Sequence, residues 1–277
     1  MSEIFLVPLI RPDAAPRVLE AARRMADHVD AVRIDVLAIR IPPETMIIPS
    51  DEAISAAHLD ALIEQEAARV TKLKAVYDRW SAAAASSSVS TAWTELEGLP
   101  ADLLSARAQG ADLVVIERPR RPADQAQRQT TDATIFGSHR PVLVVPPGTT
   151  ADETLPPFGR RLAIAWKDDG RAVKAVIPAL RYFAKAENIG VIAGYRAGSQ
   201  PETLPEPLSE RGLAAEIHPL SIGREPFGQT LLDKARAIGA DLLVMGAYTH
   251  SPLREMLLGG VTRHVLAHAE IPVLMRH

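Results

Sequence analysis

The sequence predicts an α/β protein with two doubly wound domains, each a mostly parallel five-stranded sheet with helices on both faces. The first observation is an internal repeat, in which ARAQGADLVVI at 106–116 returns 129 residues later as ARAIGADLLVM at 235–245. Each copy is followed by a polar stretch and a short apolar strand opened by proline, 141–145 and 272–275. Because the repeat has the period of a domain and strands alternate with helices around it, two parallel-sheet domains are expected.

The first half alternates buried strands with amphipathic helices. A continuous apolar run predicts a buried strand at 4–10, and further strands are predicted at 32–41, 89–96, 112–116 and 141–145. Helical spacing predicts helices at 12–30 and 99–109, and a very long one from a polar start at 50–52 to about 85. The long helix is either a partner-binding arm or a helix that lies across its own or the sister domain.

The second half repeats this order, except that a Pro-rich segment at 200–208 replaces most of the long helix. Predicted strands are 162–166, 189–195, 215–220, 241–245 and 271–275, and predicted helices are 171–186, 227–238 and 253–267. The pattern is lost at 146–159, where Pro, Gly, Thr and Asp dominate. The predicted domains are therefore 1–147 and 160–277.

Composition excludes several classes of function. The net charge is −3, which favours neither nucleic acid nor an anionic membrane as a partner. The chain has no cysteine, so disulfides, thiolate metal sites and thiol nucleophiles are excluded. Glu3 and Pro8 interrupt the N-terminal apolar stretch, which therefore does not resemble a signal peptide. No apolar run approaches the ~20 residues that span a bilayer. We expect a cytoplasmic protein.

The turn after the fourth strand of the second half concentrates glycines. It reads GAYTHSPLREMLLGGVTR over 246–263, a strand followed by glycine, a polar loop and a helix. Together with the repeat and the terminal Pro-Val-Leu strand, this stretch resembles the universal stress protein family in its tandem two-domain form. The resemblance implies Rossmann-like domains, the first with a degenerate nucleotide loop and the second with a partly retained one.

Nucleotide-binding members of that family carry G-x2-G-x9-G followed by Ser or Thr, so that backbone N–H groups approach the phosphates. Gly246 and Gly259 match this pattern, whereas Thr249 stands at the second glycine and Gly260 at the hydroxyl position. Thr262 is the hydroxyl that could compensate. The nucleotide-binding candidates implied in this loop are Gly246, Thr249, His250, Gly259, Gly260, Val261 and Thr262.

The turn after the first strand also departs from the family pattern, which places an Asp there near the adenine. Ile10 occupies that place in the first half and Lys167 in the second. Asp168 or Asp169 could substitute, although the simpler interpretation, which we favour, is that Asp169 caps the following helix. Lys167 and Asp168 complete the candidate set, and the resemblance implies ATP as a possible ligand of the second domain alone.

The first half has lost the glycine loop. Glu117 stands where Gly246 stands in the second copy, and the next glycine is Gly137. The Glu117 carboxylate would face any bound phosphate, which is electrostatically unfavourable. We therefore expect no nucleotide in the first domain.

Histidines on the last helix raise the question of a metal. His264 and His268 are four residues apart, a spacing that can hold zinc. No acidic partner lies at the usual helical offset, and the H-E-x-x-H pattern is missing from the sequence. We expect no metal site.

Three functions remain as hypotheses. The first is a non-catalytic stress-response protein that acts through an unknown protein partner or a ligand. The alternative is an ATP-binding module or slow ATPase that uses the C-terminal domain only. A related adenine-nucleotide hydrolase would need a Ser-containing phosphate loop after strand one, which neither 9–12 nor 167–169 supplies.

We assign no catalytic residues. The resemblance also implies that the final strands, 142–145 and 273–275, pair within one chain as an internal pseudo-dimer, which leaves a further homodimer possible.

Overall fold

The computed structural model describes residues 2–45, 55–84, 88–119, 130–148, 154–167, 171–195, 201–223, 226–247 and 260–277. They form two compact units. Unit 1 comprises Met1–Ser138 and Pro147–Leu155, and unit 2 comprises His139–Pro146 and Pro156–His277. The strand at 142–145, which the sequence pattern assigns to the first domain, therefore clusters with the second unit.

Unit 1 has a parallel sheet in the order β3-β2-β1-β4. Its strands are β1 Glu3–Leu9, β2 Val32–Arg40, β3 Val89–Glu97 and β4 Leu113–Glu117. Its helices are α1 Ala15–Ala26, α2 Ala56–Ala84 and α3 Pro100–Ala108, with a 3-10 turn at Pro43–Thr45 and a π-helical turn at Ala133–Gly137. The strand order reverses between β1 and β4, which is where ligands bind in sheets of this kind.

Two helices of unit 1 agree only partly with the sequence-based prediction. The first was expected over 12–30 but α1 spans Ala15–Ala26, because Pro16 favours a helix start and Asp27 is unfavourable at a helix C-terminus. The predicted apolar face of α1 is buried, with Leu19 and Met25 fully enclosed. The long helix α2 packs against α1, β2 and β3 of its own unit, as one of the two sequence-based alternatives proposed.

Unit 2 has a sheet in the order β5-β10-β9-β6-β7-β8. Its strands are β5 Val142–Val145, β6 Arg161–Trp166, β7 Asn188–Tyr195, β8 Glu216–Ser221, β9 Leu242–Gly246 and β10 Val273–Arg276. Its helices are α4 Arg171–Leu180, α5 Glu206–Ser209, α6 Phe227–Ala237 and α7 Gly260–His268. The helix predicted over 171–186 ends at Leu180 and continues as a 3-10 turn, and it contains Pro178, which cannot donate a backbone hydrogen bond within the helix.

One antiparallel pair joins the last strands of the two repeats. Val273 pairs with Val144 and Met275 with Val142, which confirms the predicted pairing of β5 with β10. This pairing is the reason that β5 clusters with unit 2. The mostly parallel α/β fold class is confirmed, with the described strands divided four and six rather than five and five.

Both copies of the repeat contain an aspartate with the same structural role. The Asp112 carboxylate accepts a hydrogen bond from the Ile4 N–H at 2.9 Å, at the start of β1. The Asp241 carboxylate accepts the N–H groups of Gly159 at 2.8 Å and Arg161 at 3.1 Å, at the start of β6. Each aspartate therefore fixes the amino end of the strand beside its own.

No helix in the described ranges is both long and apolar enough to cross a membrane.

Candidate functional site

The candidate site of unit 2 lies at the carboxyl ends of β6 and β9. These strands are parallel neighbours in a register that pairs Ile164 with Val244. Two residues further along each strand, β6 ends at Trp166 and β9 ends at Gly246. The exposed Lys167 follows Trp166 directly, so strand register places Lys167 and Gly246 at the same edge of the sheet.

Gly246 is held in place by the last strand. It pairs with Arg276 of β10, and the N–H of the next residue, Ala247, donates to the Arg276 carbonyl at 2.9 Å. Both Gly246 and Ala247 are buried. A glycine at this point leaves the backbone uncovered by a side chain, which is what a close approach by a phosphate requires.

The start of α7 carries three more of the predicted residues. Gly260 is exposed, and a Cβ added to it would meet nothing within 4 Å. Val261 is half-buried, whereas Thr262 is only 2% exposed. Gly260 is therefore the accessible member of this group and Thr262 is the enclosed one.

Four candidate residues lie outside the described part of the chain. They are Asp168, Thr249, His250 and Gly259. The structure therefore brings Lys167 and Gly246 to one edge and places Gly260, Val261 and Thr262 in α7.

The same edge of unit 1 carries charged side chains instead of a glycine. Glu117 is the last residue of β4, and its side chain is only 6% exposed. Arg11, just after β1, lies with its Nη1 4.0 Å from Glu117 Oε2 and also donates from Nε to Asp13 at 3.1 Å. The cavity bounded by Ile10, Arg11 and Glu117 measures about 20 Å³, which is room for one water molecule.

Helix α2 fills the rest of this edge in unit 1. Arg69 donates to the carbonyl of Ile10 at 2.5 Å and to the carbonyl of Ile39, at the carboxyl ends of β1 and β2. Glu66 accepts the N–H of Ile41 at 2.7 Å and the Nε of Arg69 at 2.7 Å. Side chains of the same chain therefore occupy the carboxyl edge of unit 1.

The Glu66 carboxylate is stabilised in its charged form. Burial raises the pKa of Glu66, but the hydrogen bonds from Arg69 and from the Ile41 N–H outweigh burial and hold the pKa below its usual value. A buried carboxylate with several donors stays ionised, so Glu66 and Arg69 form a paired, satisfied group at neutral pH.

Sequence reasoning missed this pair and one further feature. Thr131 and Thr262 each stand ten residues before the proline that opens the last strand of their half, Pro141 and Pro272. Both threonines are buried, at 3% and 2% exposure, and Thr131 borders the small cavity of unit 1. Counting backward from the prolines would have revealed this equivalence from the sequence.

The histidines of α7 face the neighbouring helix. The rings of His264 and His268 stack with centroids 4.2 Å apart, and His264 Nε2 lies 3.2 Å from Gln229 Oε1 of α6. Burial, and then the neighbouring His268, lower the pKa of His264. Within the described ranges, no three His, Asp or Glu side chains converge as a metal site would require.

Comparison with known proteins places this geometry in context. Residues 197–277 match the model of the universal stress protein family. A search of curated proteins finds no match.

Two solved structures extend the likeness to the whole chain. A universal stress protein from Archaeoglobus fulgidus superposes with a TM-score of 0.68 at 15% identity, covering 100% of this chain and 96% of that one. A functionally unknown protein from Pseudomonas aeruginosa PAO1 gives a TM-score of 0.59 at 16% identity, covering 99% and 92%.

These findings confirm the resemblance predicted from the loop and the repeat. Residues 197–277 match the universal stress protein family, and the whole chain has the tandem, Rossmann-like fold of these neighbours.

Proposed function

We propose that this protein of universal-stress-protein type is a non-catalytic stress-response protein that acts by binding, with unit 2 as its binding half. The observation that supports this is a difference between the two units at the same edge of the sheet. In unit 1 that edge holds Glu117 and the Glu66–Arg69 pair, whereas in unit 2 the equivalent strand ends carry Gly246 and the exposed Lys167.

Unit 1 serves a structural role in this proposal. Its cavity at the switch point measures about 20 Å³, against the roughly 300–1,000 Å³ of a small-molecule pocket. A nucleotide would also have to displace Arg69 from two backbone carbonyls, which would then be left without their donors. Occupation of unit 1 by a phosphate ligand is therefore unfavourable for both space and charge.

The second candidate function is an ATP-binding module or slow ATPase that uses unit 2 only. Gly246 at the end of β9 and the exposed Gly260 of α7 favour it, because a glycine has no side chain to keep a phosphate away from the backbone. The Lys167 ammonium at the same edge adds a positive charge that attracts phosphate. We propose ATP as the ligand to test first, with Gly246 and Lys167 as its main contacts among the described candidates.

Hydrolysis separates the two candidates. The purified chain is incubated with millimolar Mg-ATP, and release of ADP is compared with that of Gly246→Glu and Glu117→Gln variants. A non-catalytic protein releases ADP at the same background rate in all three. Release by the wild type that Gly246→Glu loses and Glu117→Gln keeps would establish the slow ATPase instead.

A further inference from the structure

A groove in unit 2 lies at the amino ends of β6, β7 and β8, the opposite edge from the proposed binding site. It has a volume of about 640 Å³. Its apolar walls include Leu162, Ile189, Ala215 and Ile238, and its polar lining includes Arg161, Asn188 and His218. The volume is within the range of small-molecule pockets.

The polar lining residues share one face of the sheet. Arg161 pairs in register with Asn188, and Gly190 pairs with Glu216. Because side chains alternate along a strand, Asn188 and Gly190 point to the same side, as do Glu216 and His218. Arg161, Asn188 and His218 therefore present hydrogen-bond donors to the same groove.

Glycine at position 190 makes this arrangement possible. A Cβ there would lie 2.7 Å from Ile238 Cδ1 and 2.8 Å from His218 Cδ2, closer than real side-chain contacts. Only a residue without a side chain lets the imidazole and the end of α6 approach β7 in this way.

The internal repeat provides a comparison within the chain. Leu113 and Leu242 are equivalent repeat positions, and their strand partners are Phe5 and Leu162. Phe5 and Leu162 pair in turn with residues of β2 and β7. One residue further along these two strands, Asp35 of β2 corresponds to Gly190 of β7. Asp35 pairs with Arg33 at 2.8 Å. Unit 1 therefore has an ion pair where unit 2 has the groove, so the groove is a feature of unit 2 and not of the shared fold.

One cationic side chain of the groove, that of Arg161, is placed to bind an anion. Among the described residues, the Arg161 guanidinium has no carboxylate within ion-pair distance. Of the two acidic lining residues, Glu187 is ion-paired with Arg160, and the Glu216 side chain is 81% exposed, with Oε2 3.9 Å from His218 Nε2. One arginine without a carboxylate, beside an amide and an imidazole, matches one carboxylate or sulfonate group of a ligand.

We propose that this groove binds a small organic anion, with an apolar body against Ile238 and its carboxylate or sulfonate on Arg161. The site goes beyond the proposed function, because it lies at the opposite edge of the sheet from Gly246 and requires no nucleotide.

Anilinonaphthalene sulfonate has the proposed chemistry, an aromatic body with one sulfonate, and its fluorescence reports binding. It is titrated into the folded chain and into Arg161→Gln, with Arg211→Gln as a matched control. Arg211 is an exposed arginine of unit 2 outside the groove, bonded to the Pro207 carbonyl at 2.6 Å. We expect one saturable site, weakened at least tenfold by Arg161→Gln and changed less than twofold by Arg211→Gln.

A second variant tests the charge in the opposite direction. Glu216→Gln removes a lining carboxylate, so it should strengthen binding of the same probe. Gly246→Glu should leave the probe affinity unchanged, which separates this groove from the proposed nucleotide edge. The proposal is overturned if the folded wild type shows no saturable site, or if Arg161→Gln binds the probe as tightly as the wild type.

Discussion

Replacing Glu66 by alanine removes the acceptor that joins α2 to the carboxyl edge of unit 1. The carboxylate accepts three hydrogen bonds, from the Ile41 N–H at 2.7 Å and from Arg69 Nε at 2.7 Å and Nη2 at 2.6 Å. The Glu66 side chain is 6% exposed and that of Arg69 is 19% exposed. Water therefore has little access to the groups that the substitution leaves behind.

The expected loss of unfolding free energy follows from those groups. A buried N–H without an acceptor, here that of Ile41, costs about 1–3 kcal/mol. Arg69 keeps its two carbonyl acceptors and some solvent contact. The free-energy cost of leaving it without Glu66 is therefore smaller than for a fully buried charge. We expect about 3 kcal/mol in total for Glu66→Ala, at the lower end of the roughly 3–5 kcal/mol seen when a buried ion pair is broken.

Tryptophan fluorescence during urea unfolding measures this loss in unit 1 separately. The chain has three tryptophans, of which Trp80 and Trp93 lie in unit 1. A Trp166→Phe background removes the signal of unit 2. Glu64→Ala is the matched control because Glu64 is exposed on the same helix, and it should change the free energy by no more than about 0.5 kcal/mol. A loss below about 1 kcal/mol for Glu66→Ala, or a loss equal to the control, would refute the reasoning.

Three other predictions concern stability. Because the pKa of Glu66 is lowered in the folded state, its contribution to the free energy of unfolding is fully present above the usual pKa of ~4.3. That contribution is lost as the pH falls through the folded pKa. The stability difference between wild type and Glu66→Gln should thus be constant from pH 7 to pH 5 and shrink below about pH 4 in urea titrations; a constant difference down to pH 3 contradicts this. Asp241→Ala leaves three backbone N–H groups at the start of β6 without their acceptor and should cost about 1–3 kcal/mol in urea unfolding; a neutral result would show that they find other partners. Gly228→Ala places a Cβ 2.6 Å from His264 Cβ and should lower the melting temperature, with a cost of about 1–3 kcal/mol; an unchanged or higher melting temperature would contradict the close packing of α6 on α7.

The fold was largely predictable because it depends on local patterns. The repeat contains an aspartate that fixes the neighbouring strand, and apolar residues mark the buried strands. Boundaries were less predictable where proline acts inside a helix, as Pro178 does in α4. The association of β5 with unit 2 follows from an antiparallel pairing across more than a hundred residues, which a local pattern cannot specify.

The occupation of the carboxyl edge of unit 1 by the side chains of Glu66 and Arg69 could not be predicted from the sequence. A Glu and an Arg three residues apart on a helix usually form an exposed pair of little consequence. Here Arg69 reaches the carbonyls of Ile10 and Ile39, which are 59 and 30 residues away along the chain. In contrast, Glu117 at the position of Gly246 was visible in the sequence, because the repeat aligns the two strand ends residue by residue.

Thermal melting with Mg-ATP tests most directly whether unit 2 is the binding half. At a hundred times its Kd a ligand adds about 2.7 kcal/mol of stability, which appears as a clear rise in melting temperature. The account predicts that Mg-ATP raises the melting temperature of the wild type and of Glu117→Gln but not of Gly246→Glu, with a reduced rise in Lys167→Glu, which changes an exposed position. A rise that persists in Gly246→Glu, or one that Glu117→Gln abolishes, would place the ligand elsewhere, and no rise in the wild type would exclude ATP as the ligand.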